Sequence, residues 1–310
     1  MIKKILATLV MSLSAVSAFA VPFGSQSVLV IEDETGKVLL EKNADRVVSI
    51  ASLTKLMTAM VVLDADQDMN ELIAIEQRDV DIVKHSTSRV PVGSKISRAD
   101  VLRLALMSSD NRAAASLART FEGGPVGFKA AVRAKIAALG MTQTVIEEPT
   151  GLSPNNKSTA QDLVKMALAA STYPVIANMT TESSDIISIN GRGVEYRNTN
   201  RLVGAKGWDI GLSKTGYTEE AGRCLIMKIT SAGKNATLVL LNAKASSVRI
   251  LDALNIRRYI AGDEAPIVQA RAPRRSRSAL MAGGGAPIVK ANLRTRTKAK
   301  AKYTQRRRRA

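Results

Sequence analysis

Two short apolar runs stand near the start of the chain, Ser27-Val-Leu-Val-Ile31 and Lys37-Val-Leu-Leu-Glu41, with Asp33-Glu34-Thr35-Gly36 between them. Apolar runs joined by a polar turn that ends in glycine predict a β-hairpin. The spacing of apolar positions then becomes helical. Residues 53–64 predict an apolar helix that begins directly after Ser52. Further helices are expected over 98–107, where Ser97 and Asp100 form a capping box, and over 111–120. Another is expected over 125–139, with Pro125 just inside its start and Gly140 past its end. Thr159-Ala-Gln-Asp162 caps a helix reaching about Ala170. Short strands are predicted at 186–189, 212–215, 223–230 and 237–242, and a closing helix at 246–260. Strands, then helices, then strands and a helix suit an α+β fold: one antiparallel sheet joining both ends of the chain, covered by helices.

The two ends of the chain read differently. Lys3 and Lys4 precede an apolar stretch over residues 5–16, and Ala18-Phe19-Ala20 is an A-x-A site. This is the pattern of a secretory signal cleaved before Val21, and it is short for a membrane span of about 20 apolar residues. The expected compartment is the periplasm. Residues 265–310 carry 14 Lys or Arg and no acid, and include Gly283-Gly284-Gly285. A stretch without an apolar period cannot bury enough surface to offset its ordering entropy, so a disordered basic tail is expected. The expected organisation is a signal at 1–20, a catalytic domain at 21–264 and the tail at 265–310.

That division changes the meaning of the net charge of +18. Residues 1–264 hold 31 basic and 27 acidic groups, and without Lys3 and Lys4 the balance is 29 to 27. The body is nearly neutral, and the tail carries the charge. Such a cation suits an anionic envelope surface, lipid or lipopolysaccharide. Nucleic acid is not expected, since the chain is read as exported and Tyr303 is the tail's one aromatic for stacking.

Composition also excludes chemistry. Cys224 is the sole cysteine and His85 the sole histidine. An internal disulfide is impossible, and a zinc site drawing three or four ligands mainly from these residues is not expected. A Ser-His-Asp triad would have only His85 available, and no G-x-S-x-G elbow accompanies it. His85 reads as structural or rim-lining, Cys224 as a buried small hydrophobe. No cofactor is expected.

Three short motifs remain, in order: Ser52-Leu-Thr-Lys55, Ser109-Asp110-Asn111 and Lys214-Thr215-Gly216. Each alone is common. Together they make chemical sense. A serine hydroxyl is a poor nucleophile until a base takes its proton. With Ser52 at a helix start, Lys55 lies one turn on, on the same face. Its amine acts as a base only when neutral, and burial beside a second cation, Lys214, favours that form. Ser109 and Asn111 fall between two helices, where a hydroxyl and an amide can relay a proton and hold substrate. Asp110 reads as a helix cap. Gly216 leaves room for substrate to lie along a strand edge, and the N–H of Tyr217 would join that of Ser52 as an oxyanion donor.

This ordered set is the signature of penicillin-binding proteins and class A β-lactamases. More widely, the sequence resembles the low-molecular-weight D-alanyl-D-alanine peptidases, and among them the penicillin-binding protein 7 type of D,D-endopeptidase. The resembling stretches are Ser49-Ile-Ala-Ser-Leu-Thr-Lys-Leu-Met57, Lys84-His-Ser-Thr-Ser-Arg-Val-Pro-Val-Gly93 and Leu106-Met-Ser-Ser-Asp-Asn-Arg-Ala113. They continue in Glu148-Pro-Thr-Gly-Leu-Ser-Pro154, Ser158-Thr-Ala160 and Lys214-Thr-Gly-Tyr-Thr218, so that about residues 25–260 are covered. The resemblance implies the β-lactamase/transpeptidase-like fold, acylation of Ser52, peptidoglycan cross-links as substrate, inhibition by β-lactams and no metal. Other readings stay open at this level: a D-alanyl-D-alanine carboxypeptidase with the same groups, a β-lactamase, or a polyanion-binding protein with an inactive domain. Glu147 and Glu148 bear on the second, because a class A β-lactamase deacylates with a glutamate and a water; the Thr-Gly-Leu-Ser-Pro that follows matches the peptidase loop instead.

Overall fold

The computed structural model describes residues 23–263; the expected signal segment and basic tail lie outside the described residues. The first two apolar runs form the hairpin β1 (Ser27–Glu32) and β2 (Val38–Lys42). Its turn closes through Gly36 N–H to Glu32 O at 2.9 Å, with Gly36 at φ +68°. A two-residue strand β3 (Val48–Ser49) and a single 3-10 turn, Ala51–Leu53, lead into α1 (Thr54–Asp64). Ser52 therefore sits inside a tight turn just before the helix rather than at its first residue.

A small ladder, β4 (Leu72–Ala74) with β5 (Lys95–Ser97), precedes the helices α2 (Arg98–Met107), α3 (Asn111–Arg119) and α4 (Gly124–Ala138). Strand β6 (Lys157–Ser158) pairs with β3, and α5 (Ala160–Ala170) and α6 (Pro174–Thr181) follow. The expected caps form. Ser97 Oγ accepts from Asp100 N at 3.1 Å, Asp110 Oδ1 from Ala113 N at 2.9 Å, and Thr159 Oγ1 from Asp162 N at 3.1 Å. Each satisfies an amide that the first helical turn leaves unpaired.

The chain then makes a separate hairpin, β7 (Ser184–Ile189) with β8 (Arg192–Arg197), and three long strands, β9 (Asp209–Thr218), β10 (Gly222–Ser231) and β11 (Lys234–Ala243), before α7 (Ser246–Ala261). The main sheet is antiparallel with order β2-β1-β11-β10-β9, so the two ends of the chain meet at its centre, as expected. Its three inner strands, β1, β11 and β10, are buried on both faces. Val28, Val30, Leu225, Leu238 and Leu240 pack with Ala253 and Ile256 of α7. Leu29, Ile31, Ile226, Val239 and Leu241 belong to the core shared with Leu56, Met60 and Leu163 from the helices opposite. Cover on both faces is why these strands read as continuous apolar runs without alternation. Each such buried aliphatic side chain contributes about 1.5–3 kcal/mol relative to exposure.

Beyond the placement of Ser52 and the short strands β3, β4, β5 and β6, three features depart from the sequence reading. The 186–189 strand pairs with β8 outside the main sheet; β8 was missed because only Tyr196 of Arg-Gly-Val-Glu-Tyr-Arg is buried. Helix α6 is eight residues long, too short for its period to register. Strand β9 runs for ten residues instead of four, because Gly211, Lys214 and Gly216 interrupt its apolar signal. Two of those three interruptions are motif residues. No helix among the described residues is long and apolar enough to cross a membrane.

Candidate active site

The three motifs converge where the outer edge of β9 meets the helical half. Lys55, the second residue of α1 and three positions on from Ser52, donates from Nζ to Ser52 Oγ at 2.9 Å, to Asn111 Oδ1 at 2.7 Å and to the carbonyl of Thr150 at 2.6 Å. Its side chain is 1% exposed. Burial lowers its pKa to about 8, against the opposing charges of Glu148 and Asp110. Lys214 from β9 is equally enclosed and donates to Ser109 Oγ at 2.9 Å and to Thr215 O at 3.2 Å. Burial, and then the charges of Lys55 and Arg249, hold its pKa well below the ordinary value. A neighbouring ammonium favours loss of a proton, which is the effect Lys55 has on Lys214.

Asn111 is the first residue of α3, directly after its cap Asp110, and Ser109 before them adopts φ +60°. The Asn111 amide is held at both ends. Its oxygen accepts from Lys55, and Nδ2 donates to Ser86 Oγ at 2.8 Å, which leaves one amide hydrogen for a ligand. Thr215 exchanges a hydrogen bond with Thr199 at 2.6 Å between hydroxyls. Tyr217 is half exposed, and the Arg223 guanidinium lies over its ring at 3.5 Å.

Two glycines hold the Ser52 turn from either side. A Cβ on Gly216 would lie 3.0 Å from Ser52 N, and one on Gly151 would lie 2.0 Å from Ala51 O. Gly151 also has φ +86°, a conformation that residues with a Cβ rarely adopt. Gly216 thus makes room for the backbone of the Ser52 turn, a role beyond the one expected for substrate. Ala51 itself is held at φ +47°.

A cleft of about 490 Å³ opens over Ser52, lined by Asn111, Lys84, Ser86, Leu152, Tyr217, Thr218 and Glu219. Lys84, one of the lining residues, holds its Nζ 2.6 Å from both carboxylate oxygens of Glu220. That ion pair pulls the Glu220 carboxyl down to about 2. His85, between two lining residues, is exposed and stands at φ +52°. Cys224 is fully buried on β10, and burial raises its thiol to about 11, so it is an inert part of the core. A cavity of about 450 Å³ bordered by Trp208, Arg257 and Asp263 includes no motif residue.

Of the eight candidate residues, Ser52, Asn111 and Tyr217 line this cleft, Lys55 and Gly216 lie directly against Ser52, Lys214 holds Ser109, and Thr215 stands between Lys214 and Gly216 on β9. The sequence reading gave no role to Ser86, Thr150 or Gly151. Thr150 enters through its backbone carbonyl, which side-chain identity does not reveal. The signal available was the string Glu148-Pro-Thr-Gly-Leu-Ser-Pro154 itself.

Comparison with known proteins agrees with this geometry. Residues 14–245 match the model of the peptidase S11 family, D-alanyl-D-alanine carboxypeptidase. The chain belongs to this family. It is 43% identical over 281 residues to a D-alanyl-D-alanine endopeptidase of Pseudomonas aeruginosa, covering 86% of this chain and 91% of that one. A D-alanyl-D-alanine endopeptidase of Escherichia coli is 40% identical over 276 residues, covering 88% and 89%. Among solved structures, the Streptomyces K15 DD-transpeptidase superposes with a TM-score of 0.71 at 25% identity, covering 76% of this chain and 97% of that one. The family member described here therefore has the transpeptidase-like fold and is a serine hydrolase.

Proposed function

We propose that this family member cleaves D-alanyl cross-links of peptidoglycan in the periplasm, after export by a cleaved signal at residues 1–20, with Ser52 as nucleophile and Lys55 as base. The observation that carries the reading is the enclosed Lys55 amine, 2.9 Å from Ser52 Oγ and with its pKa lowered to about 8. About a tenth of such an amine is neutral at pH 7, against well under a thousandth for an exposed lysine. Neutral Lys55 takes the Ser52 proton as Oγ attacks the D-alanyl carbonyl. The backbone N–H groups of Ser52 and Tyr217 stabilise the developing oxyanion. The carbon–nitrogen bond breaks, and the leaving amine receives the proton through Ser109, whose hydroxyl is held by Lys214. Asn111 and the β9 edge at Thr215 and Gly216 position the peptide. Water then hydrolyses the Ser52 ester.

Two relatives named as endopeptidases support cross-link cleavage over removal of a terminal D-alanine. The carboxypeptidase reading draws on the family description and uses the same groups. Digestion of purified cross-linked muropeptides, with products weighed by mass spectrometry, separates the two. Conversion of dimers to monomers is expected; trimming of pentapeptides with dimers left intact overturns the endopeptidase assignment. The β-lactamase reading is disfavoured because Glu148 is fully engaged in its own loop. β-Lactams are accordingly expected as slowly released covalent inhibitors. The basic residues at 265–310 are proposed to hold the enzyme at anionic envelope surfaces.

A further inference from the structure

Glu148 does not line the cleft over Ser52, yet it is the hub of the loop that closes the Lys55 site. Its Oε2 accepts from Thr150 N at 2.7 Å and from Thr150 Oγ1 at 2.5 Å. Its Oε1 accepts from Gly151 N at 2.7 Å, Ser153 N at 3.2 Å and Asn156 Nδ2 at 3.0 Å. Five donors on one carboxylate fold the segment into a cage around it. The cage fixes the direction of the Thr150 carbonyl, which accepts from Lys55 Nζ at 2.6 Å. Asn156 ties the same cage to α1, donating also to Thr54 Oγ1 at 3.1 Å.

Taking Lys55 as the base proposed above, we infer that Glu148 is a positioning residue for it: through the loop it gathers and the Thr150 carbonyl it orients the amine toward Ser52, and its carboxylate acts on that amine from the same loop. Three charged groups act on Lys55 from the elements around it. Burial, the largest influence, favours the neutral amine, while Glu148 on the loop and Asp110 at the α2–α3 turn favour the ammonium; the third group, Lys214 on β9, has its own pKa lowered by burial and then by Lys55 and Arg249 of α7. Asp110 is already committed, as cap of α3 and acceptor from Ser88 Oγ at 2.7 Å. Glu148 is likewise committed to its loop, both of its carboxylate oxygens being engaged there. A carboxylate that accepts five hydrogen bonds has no lone pair well placed to activate water, in keeping with the slow release of β-lactams proposed above.

The two roles separate in two variants. Glu148→Gln keeps the length of the side chain and removes the charge. Without that charge Lys55 loses its proton more readily, so the acidic limb of the acylation rate should move to lower pH by roughly half a unit or more. Glu148→Asp keeps the charge but shortens the reach. Its limb should stay in place while the plateau rate falls ~10–100-fold, the usual effect of a catalytic group displaced by about 1 Å. Acylation by a chromogenic cephalosporin, measured from pH 5 to 10 on the full chain, reads both. A second measurement follows the Lys55 side chain directly, by NMR titration of 13C-labelled lysine in the Ser52→Ala background with and without Glu148→Gln. A downward shift of the Lys55 titration supports the inference even if acylation does not follow, and in that case the assignment of Lys55 as base fails instead. An unmoved limb and an unmoved titration in folded Glu148→Gln overturn it. Should that variant not fold, Glu148→Asp decides: a lowered plateau with the limb in place supports the inference, and wild-type acylation overturns it.

Discussion

Gly216 and Ser52 pack backbone against backbone, with the position of a Cβ on residue 216 only 3.0 Å from the Ser52 nitrogen. The edge of β9 and the turn before α1 are thereby set against each other beside the N–H groups of Ser52 and Tyr217, the two oxyanion donors proposed above. Gly216→Ala needs a shift of a few tenths of an ångström, so the fold should survive. Acylation should fall ~10-fold or more through the displaced Ser52 N–H. Gly151→Ala meets Ala51 O at 2.0 Å and forces φ +86° on alanine. Its cost should be about 2–4 kcal/mol of stability. Melting temperatures and β-lactam acylation rates on the two variants check the contrast.

Ser52→Ala should abolish covalent penicillin labelling and leave the fold intact. The Ser52 hydroxyl accepts one hydrogen bond from Lys55, whose other partners Asn111 and Thr150 remain. The stability change should stay within about 1 kcal/mol. Intact-protein mass spectrometry after penicillin treatment gives the answer; an adduct on another serine would overturn the assignment.

Lys55→Arg should stop acylation at every working pH, since a guanidinium does not lose its proton. In the wild-type protein the rate should rise with pH through about 8, because burial lowers the amine from its ordinary 10.5 and the neutral form is the active one. Lys214→Arg retains a cation but adds volume at a site 1% exposed. It should raise KM more than it lowers kcat, at a stability cost of about 1–3 kcal/mol. Stopped-flow acylation across pH separates the roles, and equal loss in both variants would mean that they share one.

The basic tail predicts salt-sensitive adhesion. Each basic residue near an anionic membrane contributes about 1 kcal/mol, and screening shortens from about 10 Å at 0.1 M salt to about 3 Å at 1 M. A chain ending at Asp263 should keep its activity on small soluble muropeptides and bind anionic vesicles and cell-wall sacculi less well than the full chain at low salt. Equal binding in co-sedimentation would remove the tethering role.

Local pattern alone determined much of this protein. The hairpin, the capped helices and the doubly covered strands were legible because apolar runs, cap residues and glycine turns act over a few positions of the chain. The three motifs were legible because the chemistry demands those side chains whatever surrounds them. Tertiary structure decided the rest. Lys55 and Asn111 are 56 residues apart in sequence, and Lys55 and Thr150 95, yet both pairs are hydrogen-bonded. Only the packing of α1, α3 and the 148–154 loop encloses the amine enough to bring its pKa to about 8. The backbone carbonyl of Thr150, the cage around Glu148 and the fit of Gly151 against Ala51 leave almost no pattern in the chain. They depend on main-chain atoms meeting across distant segments, and a main-chain atom is the same at every residue until the fold places it.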